Sequence, residues 1–291
     1  MRLRKNGDSP HFRAAAVLAC AAVVAAATPG CRRSGRQLLH ESDSQFNHIV
    51  VREEAPGVRT LQFANGGVIQ SRVNVDDPMD LHLEYTRATM LAWALKPKPQ
   101  RVLIIGLGGG AMPRFFHHAL PDARIDVAEL DPEVHLVAKR YFGLPDDDRL
   151  VVHVGDGRKF VQASKQQWDL VILDAYGDSE IPRHLATTEF LSEVKAHLAP
   201  GAVVAGNVWS PEHNTLHDAM ARSWMMAFGP VCVVTIGASA NRIFLASNGE
   251  DVSAPAIRAA AQKLTAWPAA AGYAPAECLT GWETADALHD P

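Results

Sequence analysis

The run Arg101-Val102-Leu103-Ile104-Ile105, followed without a break by Gly106-Leu107-Gly108-Gly109-Gly110, constrains this chain more than any other stretch. Four consecutive apolar residues suit a short strand buried on both faces. The glycine-rich turn comes next, and Met112 to Leu120 can form a helix beyond it. Strand, glycine turn and helix in that order open a nucleotide-binding α/β domain. Gly106, Gly108 and Gly110 are candidate ligand positions, because a side chain there would keep a bound molecule away from the backbone. A glycine turn alone is a weak signal. A second strand, Arg124 to Ala128, strengthens it by running into Glu129, about 20 residues downstream, where such folds set a carboxylate against ribose hydroxyls.

A chain of 291 residues can bury a substantial core, and 47% hydrophobic with 21% charged residues is a globular composition. The net charge of −4 carries no nucleic-acid footprint. Thirteen histidines and four cysteines show no zinc-ligand spacing, so no metal site is expected. Residues 1–31 read as a leader: Arg2, Arg4, Lys5 and Arg13, an apolar run from Ala14 to Ala27, then Thr28-Pro29-Gly30-Cys31. That order suits a secretory or lipoprotein signal, which implies an exported or membrane-tethered chain, or a cytoplasmic one if the leader does not operate. Cys20 and Cys31 belong to it. Cys232 and Cys278 are left to pair in an oxidising compartment or to stay buried as thiols.

Residues 32–44 are polar and read as a linker. From 45 to 78 three strands are expected, His48 to Arg52, Arg59 to Phe63 and Val68 to Val73, with Pro56-Gly57 and Asn65-Gly66-Gly67 as turns. The remainder, 79–291, begins with a helix from Asp80 to Leu95 that Pro97 and Pro99 end. Strands and helices then alternate, which implies a parallel sheet with ligands at the carboxyl ends of its strands. Acids follow three successive strands: Glu129 and Asp131, Asp156 beside Gly157, then Asp174 and Asp178. Glu129 can take a ribose diol. Asp131 before Pro132 reads as a helix cap. Asp156 suits either a cap or an adenine amine, and Asp174 would lie beside the reacting part of the ligand. Tyr176 and Trp209 read as pocket walls. No lysine stands beside the glycine turn, and so acidic a site disfavours a phosphate-rich ligand. A cationic nucleoside such as S-adenosylmethionine fits better.

From Phe46 to about Leu245 the chain resembles the spermidine synthase family of polyamine aminopropyltransferases, in its divergent bacterial branch. The matching stretches are Asn65 to Gln70, Val102 to Ala111, Glu129-Leu130-Asp131, Gly155-Asp156-Gly157, Asp174 to Pro182 and Thr187 to Phe190. The resemblance implies a Rossmann-like, methyltransferase-type, mostly parallel sheet with a small antiparallel β unit before it, in a homodimer. It implies decarboxylated S-adenosylmethionine as co-substrate, a small amine such as putrescine as acceptor, and no prosthetic group. By that analogy Gln70, Glu129, Asp156 and Gly157 hold the nucleoside. Asp174 is the general base, and Asp178, Glu84 and Tyr176 face the amine.

The chain departs from the family in one half of the site. Gly109 stands where the glycine loop normally has an acid for the donor's ammonium. The Tyr-His-Glu triplet lines up with His82-Leu83-Glu84, the usual Tyr-Gln is Phe46-Asn47, and the loop after Asp174, which should close over substrates, is one residue longer. Two other functions stay open. Gly109 suits a methyltransferase that uses intact S-adenosylmethionine, because losing the acid leaves turn N–H groups free for its carboxylate. An exported chain would suit a protein that binds a nucleoside or polyamine without turnover.

Overall fold

In the strand β5 (Arg101–Ile105), Val102 and Ile104 belong to one apolar cluster while Leu103 and Ile105 belong to another, all at most 2% exposed. Side chains alternate along a strand, so this run can be satisfied only by cover on both faces. The computed structural model supplies that cover; it describes residues 36–64, 67–175, 181–237, 239–263, 275–278 and 287–291. The expected leader lies outside the described residues, and the contacts join residues 36–291 in one unit. Among the described residues no helix is long and apolar enough to cross a membrane.

Four strands form an antiparallel meander ahead of β5: β1 (Gln37–Asp43), β2 (His48–Ala55), β3 (Val58–Phe63) and β4 (Ile69–Asn74). The stretch read as linker is therefore partly strand. Its polar residues escape a hydrophobic-pattern reading because β1 is an edge strand, half exposed and paired only with β2. Helix α1 (Glu84–Leu95) begins four residues later than expected, since Leu81 is held in a bridge to Val73.

The large sheet then alternates strand and helix. After β5 come α2 (Ala111–Ala119), β6 (Arg124–Glu129), α3 (Pro132–Phe142), β7 (Leu150–Val154), α4 (Gly157–Ala163), β8 (Trp168–Leu173), α5 (Thr188–Ala196) and β9 (Leu198–Trp209). Next are α6 (His217–Phe228), β10 (Cys232–Thr235), β11 (Asn241–Ser247), α7 (Ala254–Lys263) and β12 (Pro275–Cys278). Their order in the sheet is β12-β10-β11-β9-β8-β5-β6-β7. The five strands from β7 to β9 are parallel, and β11, β10 and β12 complete the sheet antiparallel. Cys232 and Cys278 are register partners across β10 and β12.

One face of the sheet carries α1, α2, α3 and α7, and the other α4, α5 and α6, each over its own apolar cluster. The chain runs outward from β5 through β6 to β7, then returns to β8 on the other side of β5. That reversal opens a crevice at the carboxyl ends of β5 and β8, the place where open α/β sheets bind ligands. The glycine turn and Asp174 stand on its two sides.

Candidate active site

A cavity of about 570 Å³ occupies this crevice. The β5–α2 turn forms its floor, and sterics decide which residues that turn tolerates. Gly106 has φ +101°, and a Cβ there would lie 2.2 Å from the Asp174 carbonyl oxygen, so only glycine fits between the two strand ends. At Gly109 a Cβ would come within 3.0 Å of Ser71 Cβ and 3.2 Å of a Phe142 ring carbon. A side chain at this position would press on Ser71, from β4, and on Phe142, which would have to give by a few tenths of an ångström.

The N–H groups of the turn already have acceptors. Leu107 N–H donates to Glu129 Oε2 at 2.9 Å, and Gly108 N–H reaches the same carboxylate. Gly109 N–H donates to Ser71 Oγ at 2.8 Å and Gly110 N–H to the Leu107 carbonyl at 2.9 Å. The expectation of turn amides free for a donor carboxylate fails, because β4 and β6 supply acceptors from outside the turn. Glu129 ends β6 buried, and its Oε1 also accepts from Asp131 N–H at 2.8 Å. Burial pushes its carboxyl up, against the pull of these amides. Three N–H groups leave about one of the carboxylate's four lone-pair sites to accept from a ribose hydroxyl.

Asp131 is 1% exposed and does not act as a cap alone. Its Oδ1 caps α3 through Glu133 N–H at 2.9 Å, while Oδ2 accepts from Ser44 Oγ and from Asn47 Nδ2 at 3.0 Å. The β1–β2 turn is thereby tied to the end of β6, which places Phe46 in the cavity wall. Asp131→Ala is expected to lose the cap and this tie together. It should lower stability by about 2 kcal/mol, read as an earlier urea midpoint with an unchanged slope.

Asp156 performs the cap its sequence allowed and still lines the cavity. Oδ1 accepts from Lys159 N–H at 2.9 Å, and Oδ2 lies 2.7 Å from His184 Nε2. Burial raises the carboxyl, but Lys159 N–H and His184 outweigh it and hold Asp156 below its usual range.

Asp174 follows β8. Oδ1 accepts from Asn207 Nδ2 at 2.9 Å and Oδ2 from the Tyr85 hydroxyl at 3.1 Å. Burial is the main influence, and against both hydrogen bonds it pushes the carboxyl up to about 6. Such a group is ionised at neutral pH yet weakly solvated, which suits it to take a proton.

Gln70, Gly106, Gly108, Glu129, Asp156, Gly157 and Asp174 all line the cavity. Gly110 does not; it forms the left-handed start of α2 at φ +75°. Glu84 does not either. It opens α1 with its side chain 58% exposed and faces Arg87. Tyr85, the next residue along α1, is the one that reaches Asp174. Tyr176 and Asp178 lie outside the described residues, as does the middle of the loop expected to close. Asn207 and His184 were missed. Asn207 had a legible signal, a polar residue near the carboxyl end of an apolar strand, which is the signal that found Asp174.

Residues 85–238 match the family described as "Spermine/spermidine synthase domain". The chain belongs to that family. A polyamine aminopropyltransferase of Vibrio vulnificus is 35% identical over 198 residues, covering 66% of this chain and 65% of that protein; the match thus spans just under two thirds of the relative's length. A "probable spermidine synthase" of Corynebacterium glutamicum shares the fold with TM-score 0.71 and 22% identity, over 87% of this chain and 96% of that one. Human methyltransferase-like protein 13, solved in complex with SAH, gives TM-score 0.57 at 26% identity, over 62% of this chain and 90% of its own. The Rossmann-like, methyltransferase-type sheet with its small antiparallel sheet ahead is thus the architecture of this family member.

Proposed function

We propose that the protein transfers an aminopropyl group from decarboxylated S-adenosylmethionine to a small amine such as putrescine. One observation carries this reading: a single cavity holds Glu129 at the end of β6 and, across the sheet's reversal, the half-buried Asp174. In the proposed site Glu129 holds the ribose, Gln70 and Asp156 the rest of the nucleoside, and Asp174 the attacking nitrogen. An ammonium has no lone pair, so the acceptor must give up a proton first. Asp174 takes it, and the nitrogen attacks the methylene carbon beside the sulfonium. The carbon–sulfur bond breaks with its electrons on sulfur, which ends as a neutral thioether. Holding both reactants in one cavity supplies much of the acceleration. The carboxylates offset the positive charge that donor and acceptor bring in.

The relatedness to a solved methyltransferase favours a second reading, methyl transfer from intact S-adenosylmethionine. Decarboxylation decides between the two. Against the second reading, the N–H groups of Leu107 to Gly110 are already engaged and offer a donor carboxylate no cradle. Titrating purified protein with both donor forms is expected to give tighter binding of the decarboxylated one, with the transferred group found on the amine by mass spectrometry. Equal affinities, with no aminopropyl product from any amine, would reject the first reading.

A further inference from the structure

We infer that Asn207 and Asn241 form an amide relay that aims a fixed N–H at Asp174, making both of them positioning residues for the proposed base. The inference rests on the aminopropyl reading of the site, but its test does not depend on turnover.

The sheet register sets the relay. Leu173 pairs with Gly206 in the parallel ladder of β8 and β9, so the next residues, Asp174 and Asn207, fall side by side. Across β9 and β11, Asn207 pairs with Ile243, and Asn241 stands two residues away on the same face, within diagonal reach. Asn241 Nδ2 donates to Asn207 Oδ1 at 2.9 Å, and Asn207 Nδ2 donates to Asp174 Oδ1 at 2.9 Å. The chain starts at Ser239, whose Oγ accepts from Asn241 N–H at 3.2 Å and donates to Asn241 Oδ1 at 3.1 Å.

A lone asparagine beside a carboxylic group can present either end. Its NH₂ favours the ionised acid, and its carbonyl favours the protonated one. Here every link removes that freedom. The Ser239 backbone contact commits its hydroxyl proton to Asn241, which commits the Asn241 NH₂ to Asn207, which commits the Asn207 NH₂ to Asp174. Among the described residues Oδ1 takes the relay's N–H and Oδ2 the Tyr85 hydroxyl, so each oxygen keeps a lone pair for the substrate. The relay opposes burial and keeps Asp174 ionised at neutral pH. Among the described residues the other titratable groups around the cavity are Tyr85 from α1, Glu129 at the end of β6 and Asp131 after it, Asp156 before α4, and His184 and His213. Among these described residues, Tyr85 is the one that bonds to the Asp174 carboxylate.

The test is the ionisation midpoint of Asp174, followed as the ¹³C carboxyl signal that disappears in Asp174→Asn. Asn207→Leu is expected to move the midpoint from about 6 to about 7, a loss of about fivefold in ionised base at pH 6. Asn241→Leu should move it the same way but less, because Asn207 then loses one of the contacts that hold its amide in place. Asn241→Leu added to Asn207→Leu should change nothing more, since Asn241 acts only through Asn207. Donor affinity should stay within about twofold. In an active protein the pH profile of kcat/KM should move with the NMR midpoint, and kcat should change without KM. A midpoint unmoved in Asn207→Leu, or additive effects in the double variant, would overturn the relay. If Asn207→Leu does not fold, Asn241→Leu alone decides by the direction of its midpoint. A protein without aminopropyl transfer would still show the NMR shifts, so failure of the relay and failure of the activity are told apart.

Discussion

Asp174→Asn is expected to lower kcat by about 10²–10⁴-fold while leaving donor affinity unchanged and making the protein more stable. The loss of rate follows from the amine: asparagine cannot accept its proton, and an ammonium cannot attack. The gain in stability follows from burial. The Asp174 carboxyl sits at about 6 in the folded protein against an ordinary 3.8. Between those values the folded chain binds more protons than the unfolded one, so raising the pH through this window costs stability. Above about pH 6 the full penalty is present, of order 3 kcal/mol. Asparagine is nearly isosteric and neutral. It can accept from Asn207 and donate to the Tyr85 oxygen, so it keeps the local bonds without the charge. Urea denaturation at pH 8 should therefore show the variant more stable than the parent, and the gap should close as the pH falls below about 4. In the parent, kcat/KM should rise with pH through about 6. Full activity in the variant would remove Asp174 from the chemistry. An unchanged stability gap between pH 4 and pH 8 would show that its carboxyl is not perturbed.

How far the sequence reaches is clear at particular residues. The parallel strands were legible because both faces are buried, which leaves unbroken apolar runs such as Val102 to Ile105. The acids at the strand ends were legible because they recur after three successive strands, although Asp131 and Asp156 also cap the helices that follow. β1 was not, since an edge strand facing solvent needs no apolar pattern. Helix α6 was passed over although its Met220, Ala221, Trp224, Ala227 and Phe228 recur at helical spacing. Tyr85 follows Glu84 on α1, and one residue along a helix turns the side chain by about 100°, which takes it from Arg87 on the surface to Asp174 in the cavity. The second role of Asp131 depends on Ser44 and Asn47, more than 80 residues away in the chain, and no local pattern encodes such a contact. Gly109 shows the opposite case: its departure from the family is plain in sequence, but its close contact with Ser71 across the turn is visible only in three dimensions.

Glu129→Ala is expected to separate the other half of the site from Asp174. A charge-assisted hydrogen bond to a ribose hydroxyl would be lost, which weakens donor binding by about 10- to 100-fold. The same change strips an acceptor from Leu107, Gly108 and Asp131 N–H. Each orphaned buried donor costs about 1–3 kcal/mol, but two effects offset this. Glu129 faces the cavity, so water can enter and accept from the turn, and burial already disfavours its ionised form. A net loss of about 2 kcal/mol of stability is the expected balance. Glu129→Gln should bind donor with intermediate affinity, because its carbonyl replaces one oxygen while its NH₂ meets an N–H that needs an acceptor. Isothermal titration gives the affinities and urea melts give the stability. At saturating donor, kcat in Glu129→Ala should stay within about threefold of the parent, since the ribose is remote from the bond that breaks. Substitution at Asp174 should affect the rate and spare binding, and substitution at Glu129 should do the reverse. A Glu129→Ala protein that bound donor as tightly as the parent would mean that the nucleoside is held elsewhere than at the end of β6.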